Sequence, residues 1–279
     1  GKLREEGRAH FSLAVLRDNL GEYQKAVESY NSFLRVCKEC SDGQGASLAY
    51  HSIAVDYQLL GGGLAAATAP TGESNQDEPA RRQARQPEEK DSPRKIPQVA
   101  VKPELVRKAI HYHNKHRENS DAVGKFVAHL NMGLAYALLG EREAATVNHQ
   151  YALRYALQLH SLEGQSLAIG SLSFSTGMYE NDPEKMKILV ERYAELCGAL
   201  KQNKNQVSAL RKLGIIASEA GNSDESINYF QQAIARARAH GDREAEKDCS
   251  VRLGIAAGQA KMADHLSNVL QHSVLKSSG

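Results

Sequence analysis

Three histidines in the segment HYHNKH, His111, His113 and His116, are the residues of this sequence best suited to bind a metal ion. Two imidazoles on one helix share a metal only at a spacing of three or four residues, which His113 and His116 satisfy and His111 does not. The repeat pattern also places both on the face that packs against a neighbouring helix. We therefore predict semi-buried, hydrogen-bonded histidines, with a metal pair as the alternative.

Cysteine spacing gives a second, weaker indication of chemistry. Cys37 and Cys40 have the CxxC spacing of zinc and redox sites, but no second CxxC and no histidine pair follows at zinc-site spacing. Cys197 and Cys249 are isolated, and four cysteines are too few for a disulfide framework in 279 residues. We predict reduced thiols at a helix end and in the core, in a reducing compartment.

The sequence lacks the common catalytic motifs. It contains no glycine-rich phosphate loop, HExxH pair, nucleophile elbow or Rossmann fingerprint. We predict no catalytic residue, no metal and no cofactor. If the protein were an enzyme, its turnover should be lost when a residue such as His113 is changed.

Charge and hydropathy narrow the class of partner. The formal net charge is +2 and the basic residues are dispersed, which argues against nucleic acid. No apolar run approaches the roughly 18 residues of a membrane span, and the first residues, GKLREEGRAH, lack the apolar core of a signal peptide. We expect a soluble cytoplasmic protein that binds neither nucleic acid nor membrane.

The elements that position these residues follow from a repeat. A large aliphatic residue followed by a small one recurs at intervals of 40, 79, 37, 44 and 40 residues. The aligned small residues are Ala14, Ala54, Gly133, Gly170, Gly214 and Gly254. Because each position lies in a helical pattern, we predict closely packed helices in an all-α fold.

Each unit then has the pattern of a helical hairpin. Seven residues after the small residue, a glycine is predicted to end the first helix in the left-handed conformation: Gly21, Gly61, Gly140, Gly177 or Gly221, with Lys261 as the exception. Second helices follow with residues such as Ala145, His149 and Ala152 on one face. A single hairpin buries too little surface, so the units must stack.

The 79-residue interval contains an insert. The second unit's first helix is predicted to end near Leu60 and its second to begin near Pro103. Residues 62–102 between them are rich in proline and charge, without apolar periodicity, which predicts disorder. The chain then divides into residues 1–61, 62–102 and 103–279. Within the insert, Ser92 in SPRK resembles a proline-directed kinase site, with a plain solvated tether as the alternative.

The segments MGLAYALLGEREAATVNHQYALRYALQLHS and LGIIASEAGNSDESINYFQQAIARARAHGD resemble tetratricopeptide repeats. The period of about 40 residues is similar to that of Pins/LGN-type adaptors, kinesin light chains and ciliary repeat proteins. The resemblance implies a right-handed superhelical solenoid of about six hairpins that serves as a non-catalytic scaffold or adaptor. The fourth hairpin, whose second helix starts at Asp182 and Pro183, is expected to be longer. The sixth hairpin matches the repeat pattern least well, as is expected of a capping repeat at the end of an array.

In this family, partners usually lie in a concave groove lined by the first helices. The resemblance implies groove positions occupied by Phe11, Val15, Asn19, His51, Val55, Gln58, Leu130, Leu134, Leu138, Phe174, Arg211, Ile215 and Ile255. The same rule gives Asp18, Leu167, Ser218, Val251 and Gln259. An apolar floor favours an amphipathic helix or an extended protein segment over a charged chain terminus. Alternatively, some of these aliphatic residues belong to the core between repeats.

Two functional classes therefore remain. The protein is either a peptide-binding adaptor or a structural subunit of a large multi-protein complex, such as a ciliary, axonemal or cytoskeletal assembly. The second class would place it at the cytoskeleton or cilium within the cytoplasm. Partner binding through the groove distinguishes the first class, whereas binding through the convex face and the ends distinguishes the second.

Overall fold

The computed structural model describes residues 2–62, 101–179 and 182–277. Over these residues the chain forms eleven α-helices and no strand, which confirms the all-α prediction. None of the helices in this part of the chain combines the length and apolar character of a membrane span. The helices group into two compact units, residues 1–112 and 113–279.

The first unit contains α1 (Lys2–Asn19), α2 (Tyr23–Glu39), α3 (Gly43–Leu60) and the start of α4 (Pro103–Glu118). Helix α2 packs against both α1 and α3. Small residues, including Ala14, Ala26 and Ala49, are buried where the helices meet, and Tyr30 and Ile53 fill the space between them. The core therefore has the small-against-large packing that the repeat pattern predicts.

The second unit contains the end of α4 and seven further helices. These are α5 (Ala122–Leu138), α6 (Arg142–Gln158), α7 (Leu162–Tyr179), α8 (Pro183–Ala199), α9 (Asn203–Glu219), α10 (Ser223–Ala239) and α11 (Arg243–Ser277). From α5 onward each helix packs against the next along the chain. This order of contacts is that of stacked helical hairpins, in which each element contacts mainly its sequence neighbours.

Glycine closes three of the first helices as predicted. Gly21, Gly140 and Gly221 follow α1, α5 and α9 with φ of 73°, 73° and 77°. The prediction is wrong at Gly61, whose φ is −76°, because the next residue, Gly62, takes the left-handed conformation instead with φ of 100°. It is also wrong at Gly177, which lies inside α7.

The fourth and sixth repeats depart from expectation. In the fourth, Asp182 caps α8 by accepting a hydrogen bond from the Lys185 N–H at 3.0 Å, as predicted, but α7 and α8 have the ordinary lengths of 18 and 17 residues. The expectation of a longer hairpin is therefore wrong. The sixth repeat forms one continuous helix of 35 residues. Lys261 occupies the turn position there, and lysine favours the helix over the left-handed conformation that glycine provides.

The two ends of the insert meet in the first unit. The Lys102 N–H donates a hydrogen bond to the Gly61 carbonyl at 3.0 Å, and the Tyr57 and Tyr112 rings stack with centroids 5.7 Å apart. Helices α3 and α4 are thus joined as a hairpin across the insert. Residues 63–100, including Ser92, lie outside the described residues, so the disordered insert, the kinase site and the three-part division of the chain stay predictions.

We expect the hairpin to tolerate removal of the insert. Replacing residues 63–100 with a five-residue Gly/Ser linker should leave the helical circular dichroism unchanged. It should stabilise the first unit by up to about 2 kcal/mol, because closing a shorter loop costs less entropy. Thermal unfolding followed at 222 nm measures the effect. A variant with residues 63–100 scrambled should match the wild type, and a lowered melting temperature in the linker variant would contradict the prediction.

Candidate partner-binding groove

The first helices of the second unit lie side by side. Helix α5 contacts α7, and α9 contacts α11. The Lys212 ammonium of α9 donates to the Ser173 carbonyl of α7 at 3.3 Å, and burial lowers the pKa of Lys212. The Ser218 hydroxyl of α9 donates to Gln259 Oε1 of α11 at 3.3 Å. Together these four helices form one face, which we call the second-unit groove.

Three aliphatic residues of this groove are open to solvent. Leu167, Val251 and Ile255 are 55%, 59% and 56% exposed. Leu134 and Leu138 of α5 and Ile215 of α9 are half-buried. The groove positions thus include exposed apolar surface, which a binding partner can cover with a gain in free energy.

Other predicted groove residues have different surroundings. Leu130 packs against the core around Phe126 and Ala152. Arg211 forms an ion pair with Asp248 at 3.2 Å, and Asp248 also contacts Arg252. Because both partners are more than a third exposed, this pair contributes little to stability and forms a polar rim. The side chain of Phe174 lies outside the described residues.

The first unit has a groove face of its own. Phe11 packs against the core, with its ring centroid 5.1 Å from that of Phe33 and the two rings tilted by 55°, and Val15 contacts the same core. Asn19 is exposed, whereas His51, Val55 and Gln58 are half-buried. Burial lowers the pKa of His51 and favours its neutral form. The first-unit groove is therefore less apolar than the second.

Sequence reasoning missed one polar residue beneath the first-unit groove. Asp56 is fully buried, and burial, reinforced by the neighbouring Asp18, raises its pKa to about 8. The Tyr30 hydroxyl donates to Asp18 Oδ2 at 3.5 Å, and burial raises the pKa of Tyr30 to about 12. The signal was present in the repeat alignment, because the position of Asp56 is aliphatic in the other units.

Comparison with known families identifies the hairpins. A tetratricopeptide-repeat family model matches residues 7–40, which cover α1 and α2, and another matches residues 209–244, which cover α9 and α10. The chain contains tetratricopeptide repeats. A comparison with curated proteins found no match.

Solved structures with tetratricopeptide-type folds resemble this chain over most of its length. The structure of MamA matches with a TM-score of 0.55 and 15% identity, over 86% of this chain and 96% of MamA. The tetratricopeptide-like repeats of a putative kinesin light chain from Podosopora anserina match with a TM-score of 0.54 and 13% identity, over 84% and 96%. At such identities the likeness shows the fold alone, an all-α repeat fold.

A third structure resembles the chain over nearly all its residues. Aspartyl phosphate phosphatase F from Bacillus subtilis matches with a TM-score of 0.58 and 11% identity, over 99% of this chain. The chain spans 63% of that protein, so only part of it is comparable. At this identity the likeness again shows the fold alone.

The histidines and cysteines of these repeats lie mainly in the packing. His113 and His116 are buried, on the packing face where the repeat pattern places them. No group of three His, Cys, Asp or Glu that could hold a metal ion is found in the described part of the chain. The cysteines are free: Cys37 is buried, and burial raises its thiol pKa to about 11. Such a thiol is protonated at neutral pH and is a poor nucleophile.

Proposed function

We propose that the protein is a non-catalytic adaptor that binds an amphipathic helix or an extended segment of a protein partner in the grooves of its repeats. The observation that carries the proposal is the exposure of Leu167, Val251 and Ile255 on the first-helix face of the second unit. Burial of one such side chain contributes roughly 1.5–3 kcal/mol. A partner with aliphatic anchors would find most of its binding energy there.

The polar groups at the groove favour binding of an internal segment of the partner over binding of its charged chain terminus. Chaperone cofactors of this family hold a carboxylate with Lys and Asn at the first two groove positions, which here are Leu130 and Leu134 in the third repeat. The Arg211 guanidinium is engaged by Asp248. A partner that offers aliphatic side chains and a few hydrogen bonds therefore fits better than a free carboxylate.

A structural role in a ciliary, axonemal or cytoskeletal assembly is the second candidate. Leu13 and Leu16 of helix α1 and Leu20, directly after the helix, are exposed at a spacing of three and four residues. In the inner repeats the position of Leu13 is buried, at Ile53 for example. This exposed stripe is a second apolar surface, outside the groove, through which a larger complex could hold the protein.

Substitutions in the groove test the adaptor. Peptides of sixteen residues are selected by display against the purified chain, and their affinity is measured by fluorescence anisotropy. We expect Leu167→Asp and Ile255→Asp to weaken binding at least tenfold, because each places a carboxylate where the partner would bury an aliphatic side chain. Ile188→Asp, at an aliphatic residue of α8 that is 65% exposed, is the matched control and should bind normally.

The groove variants, together with Leu16→Asp on α1, separate the two candidates. If partners that co-purify with the protein from the native source are lost from the Leu167→Asp and Ile255→Asp variants, the result supports the adaptor. If partners are lost from Leu16→Asp while the groove variants still co-purify with them, the result supports the assembly subunit. Display selections that return no groove-dependent peptide would overturn the adaptor proposal.

A further inference from the structure

One helical position separates the second repeat from all the others. Two residues after the aligned small residue, the second repeat carries Asp56. The other repeats carry Leu16, Ala135, Leu172, Ile216 and Ala256. Several of these aliphatic residues are buried, so the position belongs to the packing face of the first helix. Stability alone would favour an apolar residue there.

Asp56 is buried without a compensating positive charge. Its side chain has no exposed surface, and among the described residues neither carboxyl oxygen has a hydrogen-bond partner of standard geometry. Asp18 raises the pKa of Asp56 further, through a side-chain hydrogen bond and through its charge, but it brings a second carboxyl group and no positive charge. An ionised carboxyl group in such surroundings is destabilised until a cation reaches it.

The groups around Asp56 come from three helices. Asp18 belongs to α1, Tyr30 of α2 donates its hydroxyl to Asp18, and Ser52 of α3 hydrogen-bonds with Tyr30. Within the described chain, the charge that shifts the pKa of Asp56 is that of Asp18, and no lysine or arginine contributes. The first unit thus holds two acids and a tyrosine hydroxyl together, without the cation that would neutralise them.

We propose that Asp18 and Asp56 bind one cationic group, the ammonium of a lysine or the guanidinium of an arginine in the partner segment. That this cation belongs to a protein partner rests on the proposed function. Asp18 is partly exposed at a groove position, which gives the cation access to the pair. Two carboxyl groups supply the acceptors that a multidentate N–H donor needs.

Binding of the cation is coupled to loss of a proton. Asp56 must become a carboxylate to attract the cation fully, and the bound charge stabilises that form. Affinity should therefore rise with pH between about 6 and 9. Tyr30 stays protonated over this range because its pKa is about 12. The acid of the pair that sets the pH dependence is then Asp56.

The experiment uses ethylguanidinium chloride as the probe and the side-chain carboxyl ¹³C resonances of the full chain as the readout. We expect saturable shifts at Asp18 and Asp56, with affinity at least about fivefold higher at pH 8.5 than at pH 6.5. Asp56→Asn should abolish saturation, whereas Asp224→Asn, at an exposed acid of α10, should leave it unchanged. Tetramethylammonium at equal ionic strength cannot donate hydrogen bonds and should produce no saturable shift.

The remaining outcomes either overturn the site or separate it from the adaptor proposal. Unshifted Asp56 resonances, an equal response to tetramethylammonium, or tighter saturation by Mg²⁺ would overturn it. A selected peptide that loses affinity when its lysine is changed to norleucine, in the wild type but not in Asp56→Asn, supports it. If ethylguanidinium binds but no groove-dependent peptide is found, the cation site stands and the adaptor proposal fails.

Discussion

Replacing Gly133 with alanine is expected to destabilise the second unit by about 2–3 kcal/mol. A Cβ at this position would overlap the His149 ring, which is buried between α5 and α6. Alanine is about 1 kcal/mol better than glycine in a helix, but overpacking of a closed core costs more. The loss therefore measures how closely the two helices approach. Thermal and urea unfolding followed by circular dichroism report it.

Gly254→Ala is the matched control for this prediction. Gly254 occupies the same repeat position in α11, and a Cβ there would meet no atom within 4 Å. We expect alanine at residue 254 to stabilise the chain by up to about 1 kcal/mol through helix propensity alone. Equal effects of the two substitutions, in either direction, would show that helix–helix approach is not what requires Gly133.

A double-mutant cycle tests the contact itself. His149→Ala removes the ring, so adding Gly133→Ala to it should cost little or nothing. The coupling energy between the two positions should be roughly 2 kcal/mol. Burial lowers the pKa of His149 to about 4, so the ring is neutral at pH 7 and its charge does not enter the comparison. A coupling energy near zero would show that the cost of Gly133→Ala does not come from contact with the His149 ring.

The repeat architecture could be predicted because its signals are local. Small residues such as Gly133 and Gly214 recur at one helical position, and each lies against a large ring, His149 and Phe230. The turn at Gly140 follows from the conformational freedom of glycine. These features depend on a few neighbouring residues, which sequence spacing records directly.

Groove exposure could be predicted only in part. Phe11 and Val251 occupy the same repeat position, yet Phe11 packs against Phe33 while Val251 is open to solvent. In the first repeat the second helix brings Phe33 against Phe11, whereas α11 continues as one helix in the sixth repeat, and the spacing within the first helix does not encode this difference. Gly177 likewise failed as a turn signal because α7 continues to Tyr179. Asp56 was missed because apolar periodicity tolerates one polar exception.

Replacing Asp56 with asparagine is expected to stabilise the first unit at high pH and to have little effect at pH 4. Burial raises the pKa of Asp56 to about 8, from 3.8 as the ordinary value. Between these values the folded protein binds a proton that the unfolded chain does not, so wild-type stability falls as pH rises. Asparagine has the same shape and carries no charge, and it therefore removes this fall.

The expected gain at pH 9 is on the order of 3–5 kcal/mol, since each pKa unit corresponds to about 1.4 kcal/mol. Urea unfolding of wild type and Asp56→Asn at pH 4, 6, 7.5 and 9 gives the two profiles. Asp18→Asn should recover only part of the gain, because burial is the larger cause of the shift. Parallel profiles for wild type and Asp56→Asn would mean that Asp56 titrates as in the unfolded chain. Convergence at pH 4 with separation above pH 7 would instead establish a stability cost that the second repeat retains at neutral pH, which the other repeats avoid with an aliphatic residue.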